Sequence, residues 1–211
     1  MRKVKLAVGE IYHIFNRGVD RRIIFNNQKD LDRFFLSMIS FNSVRPIGSL
    51  HEQSFQKEKI KKPLVNFIAY NILPNHFHFL LEQVSENGIS EFMKRLSGGY
   101  TWYFNKKYKR VGSLFQGTFK SQHIDSNEYL LHVSVYVNLN EKISLDVSGL
   151  TAKLGKSSWS EYLDLEKITQ NCTKKNIVLD QFNSLQEYKS FALSSLRDIR
   201  LNKEKYKELE G

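Results

Sequence analysis

The stretch from Asn71 to Glu82 reads NILPNHFHFLLE and sets two histidines, His76 and His78, one residue apart in an otherwise apolar run. Side chains alternate between the faces of a strand, so His76, His78, Leu80 and Glu82 share one face while Phe77, Phe79 and Leu81 share the other. The phenylalanines can then enter a core while both imidazoles project from the opposite side. Their Cα atoms would lie about 6.5 to 7 Å apart, a separation from which two neutral imidazoles can converge on one divalent cation. The same pair can also stand hydrogen-bonded on a solvated strand face with no metal, and the His-x-His spacing alone does not decide between these.

A second group lies in SNEYLLHVSVYVNLN, from Ser126 to Asn140. His132, Tyr136 and Asn140 recur at i, i+4 and i+8, with Tyr129 seven before Tyr136, so a helix would present all four on one side. Two neutral imidazoles and the Asn140 carbonyl oxygen would leave a cation's full charge free to polarise a phosphate, and Tyr136 would supply a hydroxyl nucleophile beside it. The competing reading is an aromatic helix face packed in the core. The third group, residues 94 to 124, carries Lys94, Arg95, Lys106, Lys107, Lys109, Arg110 and Lys120 with no acidic residue among them. Tyr100, Trp102, Tyr103, Phe104, Tyr108, Phe115 and Phe119 are interleaved. Positive charge tracks a phosphate backbone and aromatic faces stack on unpaired bases, which favours single-stranded or hairpin nucleic acid over smooth duplex. Gln116, and Arg17 and Arg21 upstream, join this set of candidate contacts. The alternative is a solvated face of cations over buried aromatics.

The elements that must position these groups follow from pattern. Glu10 to Arg17 reads as a strand. Leu31, Phe34, Phe35 and Met38 fall at helical spacing behind Asn26 and Asn27. Residues 64 to 73 and HFHFLLEQ read as antiparallel strands joined at Pro74-Asn75. A helix is expected from about Ile89 to Lys107, bent or interrupted at Gly98-Gly99, then an extended segment after Gly117 and a helix from Ser126. Residues 43 to 63 show no clean period and read as a long basic loop or insertion. WSEYLDL reads as helical, and Ser184-x-x-Glu187 is a capping box for a C-terminal helix.

With 211 residues, 41% of them hydrophobic, the chain can bury a sizeable core. Its 32 Lys and Arg against 22 acidic residues give a net charge of +10, which favours a polyanionic partner, nucleic acid before an anionic membrane surface. No run of about 18 apolar residues occurs, and the first residues lack a long apolar segment, so neither membrane spanning nor secretion is expected. The single cysteine, Cys172, suits a reducing cytoplasm and removes cysteine-based zinc sites.

Three blocks, HIFNRGVDRRIIF, then LPNHFHFLLE, then YFNKKYKRVGSLFQGTFKSQHIDSNEYLLHVSVYVNLN, together resemble the single-tyrosine HUH transposases, most closely the REP-associated tyrosine transposase branch. The resemblance covers roughly residues 8 to 165, with WSEYL at 159 to 163 similar to that branch's Trp-Ser-Ser-Tyr segment. It implies an α+β fold: a ferredoxin-like or RRM-like antiparallel sheet with helices packed on one face, in residues 1–150, followed by a C-terminal helical extension, 151–211. It implies His76 and His78 as metal ligands, Tyr136 as the catalytic tyrosine and Asn140 as the further polar ligand. It further implies Mg²⁺ or Mn²⁺ as cofactor, cleavage of single-stranded DNA beside a hairpin through a 5′-phosphotyrosine, and a monomer or homodimer. The chain departs from the family at Glu141, where a proline usually follows the asparagine, and at Asn138, where a histidine is usual. Either the helix runs on and shifts Asn140, or Glu141 itself approaches the metal. Two rivals remain at this point: a catalytically silent hairpin DNA or RNA binder with the same fold, and a metal-dependent hydrolase unrelated to DNA.

Overall fold

The computed structural model describes residues 5–45, 62–143, 154–163 and 173–202. Most of the loop or insertion expected over 43 to 63, and Cys172, lie outside the described residues. The strands are β1 (Ile11–Arg17), β2 (Val65–Leu73), β3 (His76–Gln83), β4 (Lys120–Ile124) and β5 (Lys156–Ser157). The main helices are α1 (Gln28–Phe41), α2 (Gly88–Tyr108) and α3 (Asn127–Ile143). Two short helices, α4 (Trp159–Tyr162) and α5 (Asn176–Leu179), lead to α6 (Leu185–Leu201).

The sheet order is β4-β1-β3-β2-β5 and every neighbouring pair is antiparallel. With its βαββαβ chain order, this is the expected ferredoxin-like arrangement. Local signals agree with it. The Asn27 side chain caps α1 by accepting from the Asp30 amide, and Ser184 caps α6 by accepting from Glu187.

On one face, α1 and α2 close a core of Phe25, Phe34, Phe67, Phe77, Phe79, Phe92 and Tyr100. Phe34 meets Tyr100 edge-on at 5.0 Å and Phe67 meets Phe79 edge-on at 5.4 Å, geometries worth about 1 kcal/mol each beyond area burial. The expected break at Gly98-Gly99 is absent, since α2 runs unbroken through both. A Cβ at Gly99 would come within 2.9 Å of the Phe41 ring, so this glycine lets α1 and α2 pack closely.

The other face is covered as well, by α3 and the C-terminal helices. Ile68, Ala69 and Leu80 from the sheet pack with Val133, Val137 and Leu139 and with Tyr162, Tyr188, Ala192, Leu196 and Ile199. The C-terminal segment is pinned directly to β2: Tyr70 Oη donates to Glu161 Oε1 at 2.7 Å and Tyr162 Oη donates to Ile68 O at 2.9 Å.

Asp30 is a buried knot between α1 and the end of α2. Its carboxylate accepts from Tyr103 Oη, Tyr108 Oη, the Asn26 amide and the Lys107 ammonium. Burial alone would raise its pKa, but these four hydrogen bonds outweigh that and hold it below the ordinary carboxylate value. Asp30→Ala removes the shared acceptor of Tyr103, Tyr108, the Asn26 amide and the exposed Lys107, and should cost about 2 kcal/mol, read by urea denaturation at pH 7. Because the folded-state pKa is depressed, this contribution is present above the unfolded carboxylate's pKa and is lost as pH falls through the folded one. The deficit of the variant should therefore shrink in strong acid and stay constant from pH 5 upward.

Candidate functional site

β3 projects His76 and His78 toward α3, as the alternation requires. Register places Arg17 opposite His76, Phe15 opposite His78 and His13 opposite Leu80, all on this face. On the other side of β3, Asn71 stands opposite His78. Asn71 Nδ2 donates to Val137 O at 3.0 Å, a buried bond that ties α3 to the sheet one residue beyond Tyr136. The Tyr136 ring is thereby held edge-on to His78, with ring centroids 5.5 Å apart. One turn later, Asn140 brings its Oδ1 to 3.4 Å from His76 Nε2. The rings of His76 and His78 are perpendicular, with centroids 5.1 Å apart. Thus the two imidazoles, the phenol and the carboxamide predicted from sequence meet at one place. His132, predicted on the same helix face, instead packs its ring 6.0 Å from Phe191 of α6.

Hydrogen bonds select which nitrogens are open for chemistry. Asn75 turns its amide nitrogen to Arg21 O and its oxygen to His76 Nδ1, at 2.6 Å. A carboxamide oxygen only accepts, so Nδ1 carries the proton and His76 Nε2 presents a lone pair toward Asn140 Oδ1, itself an acceptor. An imidazole nitrogen and a carboxamide oxygen are both donor atoms for a divalent cation, so the chemistry of the residues present suits such a metal. Among the described residues, no three His, Cys, Asp or Glu side chains gather as a metal cluster. Neither outcome expected at Glu141 is met in full: α3 does run on, to Ile143, but Asn140 is not shifted and stays beside His76, and Glu141 is exposed.

Sequence reasoning missed His13, which is buried and lies with Nε2 3.0 Å from His78 Nδ1. It also missed Asn71 and Asn75; the only signal for Asn75 was its place immediately before the histidine pair. Burial pushes the His13 pKa down to about 3. Burial, then the neighbouring His76, His13 and Arg17 charges, holds His78 well below the ordinary imidazole value. Both rings are therefore neutral at pH 7, the state a metal ligand needs.

The candidate nucleic-acid contacts fall into two places. Arg17, Arg21, Gln116 and Lys120 gather at the His76 end of the sheet. The Gln116 amide donates to Arg17 O at 2.8 Å, Arg21 stands in a left-handed turn beside Asn75, and Lys120 pairs across from Phe15. Arg95, Lys106 and Lys107 lie on α2, which packs against the opposite face of the sheet, with Lys109 and Arg110 just past its end. Arg95 binds Glu91 and Ser43 O, Lys107 is committed to Asp30, and Arg110 donates to Asn105 Oδ1. Phe115 is 4% exposed with its ring against Phe77, so it is closed to a stacking base. Among the seven aromatics of this stretch only Trp102 is exposed, at 63%, with the Lys106 ammonium 4.9 Å above its ring.

Residues 10–140 match the family model "Transposase IS200 like", and the chain belongs to that family. A solved structure of a REP-associated tyrosine transposase bound to a REP hairpin has a similar fold, with a TM-score of 0.51 at 14% identity over 78% of this chain and 85% of that one. No curated protein matches the sequence. Among the described residues, no helix is long and apolar enough to cross a membrane.

The neutral histidines have a consequence for stability. Below about pH 6.5 the unfolded chain protonates both imidazoles while the fold keeps them neutral, so the unfolded state binds more protons. The metal-free protein should lose stability as pH falls from 6.5 toward 3, by up to about 1.4 kcal/mol per pH unit for each imidazole, and show no such slope above pH 7. Urea denaturation midpoints across this range in the presence of a chelator check it.

Proposed function

We propose that this chain cuts and rejoins single-stranded DNA beside a hairpin through a 5′-phosphotyrosine on Tyr136, with His76, His78 and Asn140 holding Mg²⁺ or Mn²⁺. The observation that carries this reading is the meeting of Tyr136 with the histidine pair, at 5.5 Å between rings. Membership of the IS200-like transposase family and the +10 charge support it.

When bound, the cation supplies Lewis-acid stabilisation of charge on a non-bridging phosphate oxygen. Tyr136 Oη attacks phosphorus in line with the 3′ oxygen: the Oη–P bond forms as the P–O3′ bond breaks, and the phenolic proton ends on the departing 3′ hydroxyl. Imidazole and carboxamide ligands carry no negative charge, so His76, His78 and Asn140 would not cancel the charge offered to the phosphate. Imidazole ligands suit Mn²⁺ at least as well as Mg²⁺. Attack by another DNA 3′ hydroxyl reverses the step, replaces phosphotyrosine with phosphodiester and needs no ATP. Arg17, Arg21, Gln116 and Lys120 hold the strand entering the site. Lys106, Lys109, Arg110 and the Trp102 face extend the contact along α2, while Arg95, Lys107 and Phe115 serve the fold. One chain supplies all four site groups, so a single copy is sufficient.

The second reading, a silent hairpin binder, draws on the burial of Tyr136, which is 1% exposed. On the first reading, DNA binding must uncover the phenol. Incubation with hairpin DNA and Mn²⁺ separates the two. The transposase reading expects an SDS-resistant protein–DNA adduct that Tyr136→Phe abolishes with hairpin binding nearly intact; binding without any adduct leaves the silent binder. For the interface, replacing Arg17, Arg21 and Lys120 together by alanine should reduce the slope of log K against log salt by about 2, whereas Lys107→Ala should leave the slope unchanged and lower stability instead.

A further inference from the structure

We infer that His13 is a positioning residue for His78: buried behind it, His13 engages His78 Nδ1 and so directs Nε2 of that ring to the cation. The inference rests on the reading of His76 and His78 as ligands. His13 comes from β1, on the same sheet face, and its Nε2 lies 3.0 Å from His78 Nδ1 with the ring planes 15° apart. Its own ring is held on two further sides, stacked on Phe15 at 4.8 Å and edge-on to Tyr136 at 6.0 Å. Only one proton fits between the two facing nitrogens. If His78 Nδ1 carries it, His13 Nε2 accepts, and His78 Nε2 keeps the lone pair that a metal needs. If His13 Nε2 carries it, His78 must hold its proton on Nε2 and cannot ligate. Cation binding therefore requires the first arrangement, in which His13 carries its proton on Nδ1, an atom with no hydrogen-bond partner among the described residues. His76 has the matching device in Asn75, so each ligand ring is held through Nδ1 by a residue outside the ligand set. Since His13 also touches Tyr136, one buried side chain orients a ligand and packs against the nucleophile.

The test uses the full chain without DNA. Mn²⁺ affinity, read by electron paramagnetic resonance, should fall about 10- to 100-fold in His13→Leu and recover in large part in His13→Gln, whose amide oxygen can accept from His78 Nδ1. Nitrogen-15 spectra of the wild type loaded with Mg²⁺ should show His78 protonated on Nδ1 and bare on Nε2, and this readout stands even if the leucine variant fails to fold. A folded His13→Leu that binds Mn²⁺ within twofold of wild type, or a His78 proton on Nε2 in the loaded protein, overturns the inference. Wild-type Mn²⁺ binding that His76→Ala removes and His13→Leu spares overturns it alone. No Mn²⁺ binding by the wild type overturns the ligand reading beneath it as well.

Discussion

The rest of the molecule depends on β3 having to serve two packed layers of opposite chemistry. Its alternation sends Phe77 and Phe79 into an aromatic core under α1 and α2, and the same alternation sends His76 and His78 beneath α3. A slip of one residue would bury imidazoles among phenyl rings and leave the phenylalanines facing Tyr136, so register is fixed by the cost of either exchange. Neighbours on both sides hold it: β1 sets Phe15 and Arg17 against the histidines, and β2 sets Asn71 and Leu73 there. The turn at Pro74-Asn75 closes the hairpin and also presents the amide that orients His76.

Charge is distributed with the same economy. The groups nearest the site are neutral, by amide chemistry at Asn140 and by burial at His13 and His78. Fixed positive charge stands at the rim, on Arg17, Arg21 and Lys120, where a polyanion would first meet the protein. Asp30, a buried carboxylate that meets Lys107, is fully engaged within the core and does not reach the site.

The parts legible in the sequence were those governed by short-range periodicity: β1 to β3, the start of α1 with its Asn27 cap, α3 with its four-residue spacing, and the Ser184 cap. The pair His76 and His78, with Tyr136 and Asn140, was readable because each pair shares one element. What failed were judgements that depend on what lies across a packing interface. Gly98-Gly99 reads as a break in isolation, yet a helix neighbour needed the space at Gly99. Phe115 and Lys107 read as contacts for a ligand because composition cannot say which aromatic is inward or which lysine faces a buried Asp30. His13 sits in an apolar strand 65 residues from His78, and no local pattern announces that two imidazoles will share a proton across a sheet. Glu141 signalled the loss of a helix stop, and only the continued helix showed that Asn140 stays in register with His76.

Asn138 has a consequence of a different kind. It is buried, accepts from Ser158 Oγ at 2.5 Å and donates to Tyr188 Oη at 3.3 Å, so it joins the tyrosine-bearing helix to two separate points of the C-terminal segment. Removing either hydroxyl, at position 158 or 188, would therefore strand a buried amide atom of Asn138 directly beneath the helix that carries Tyr136.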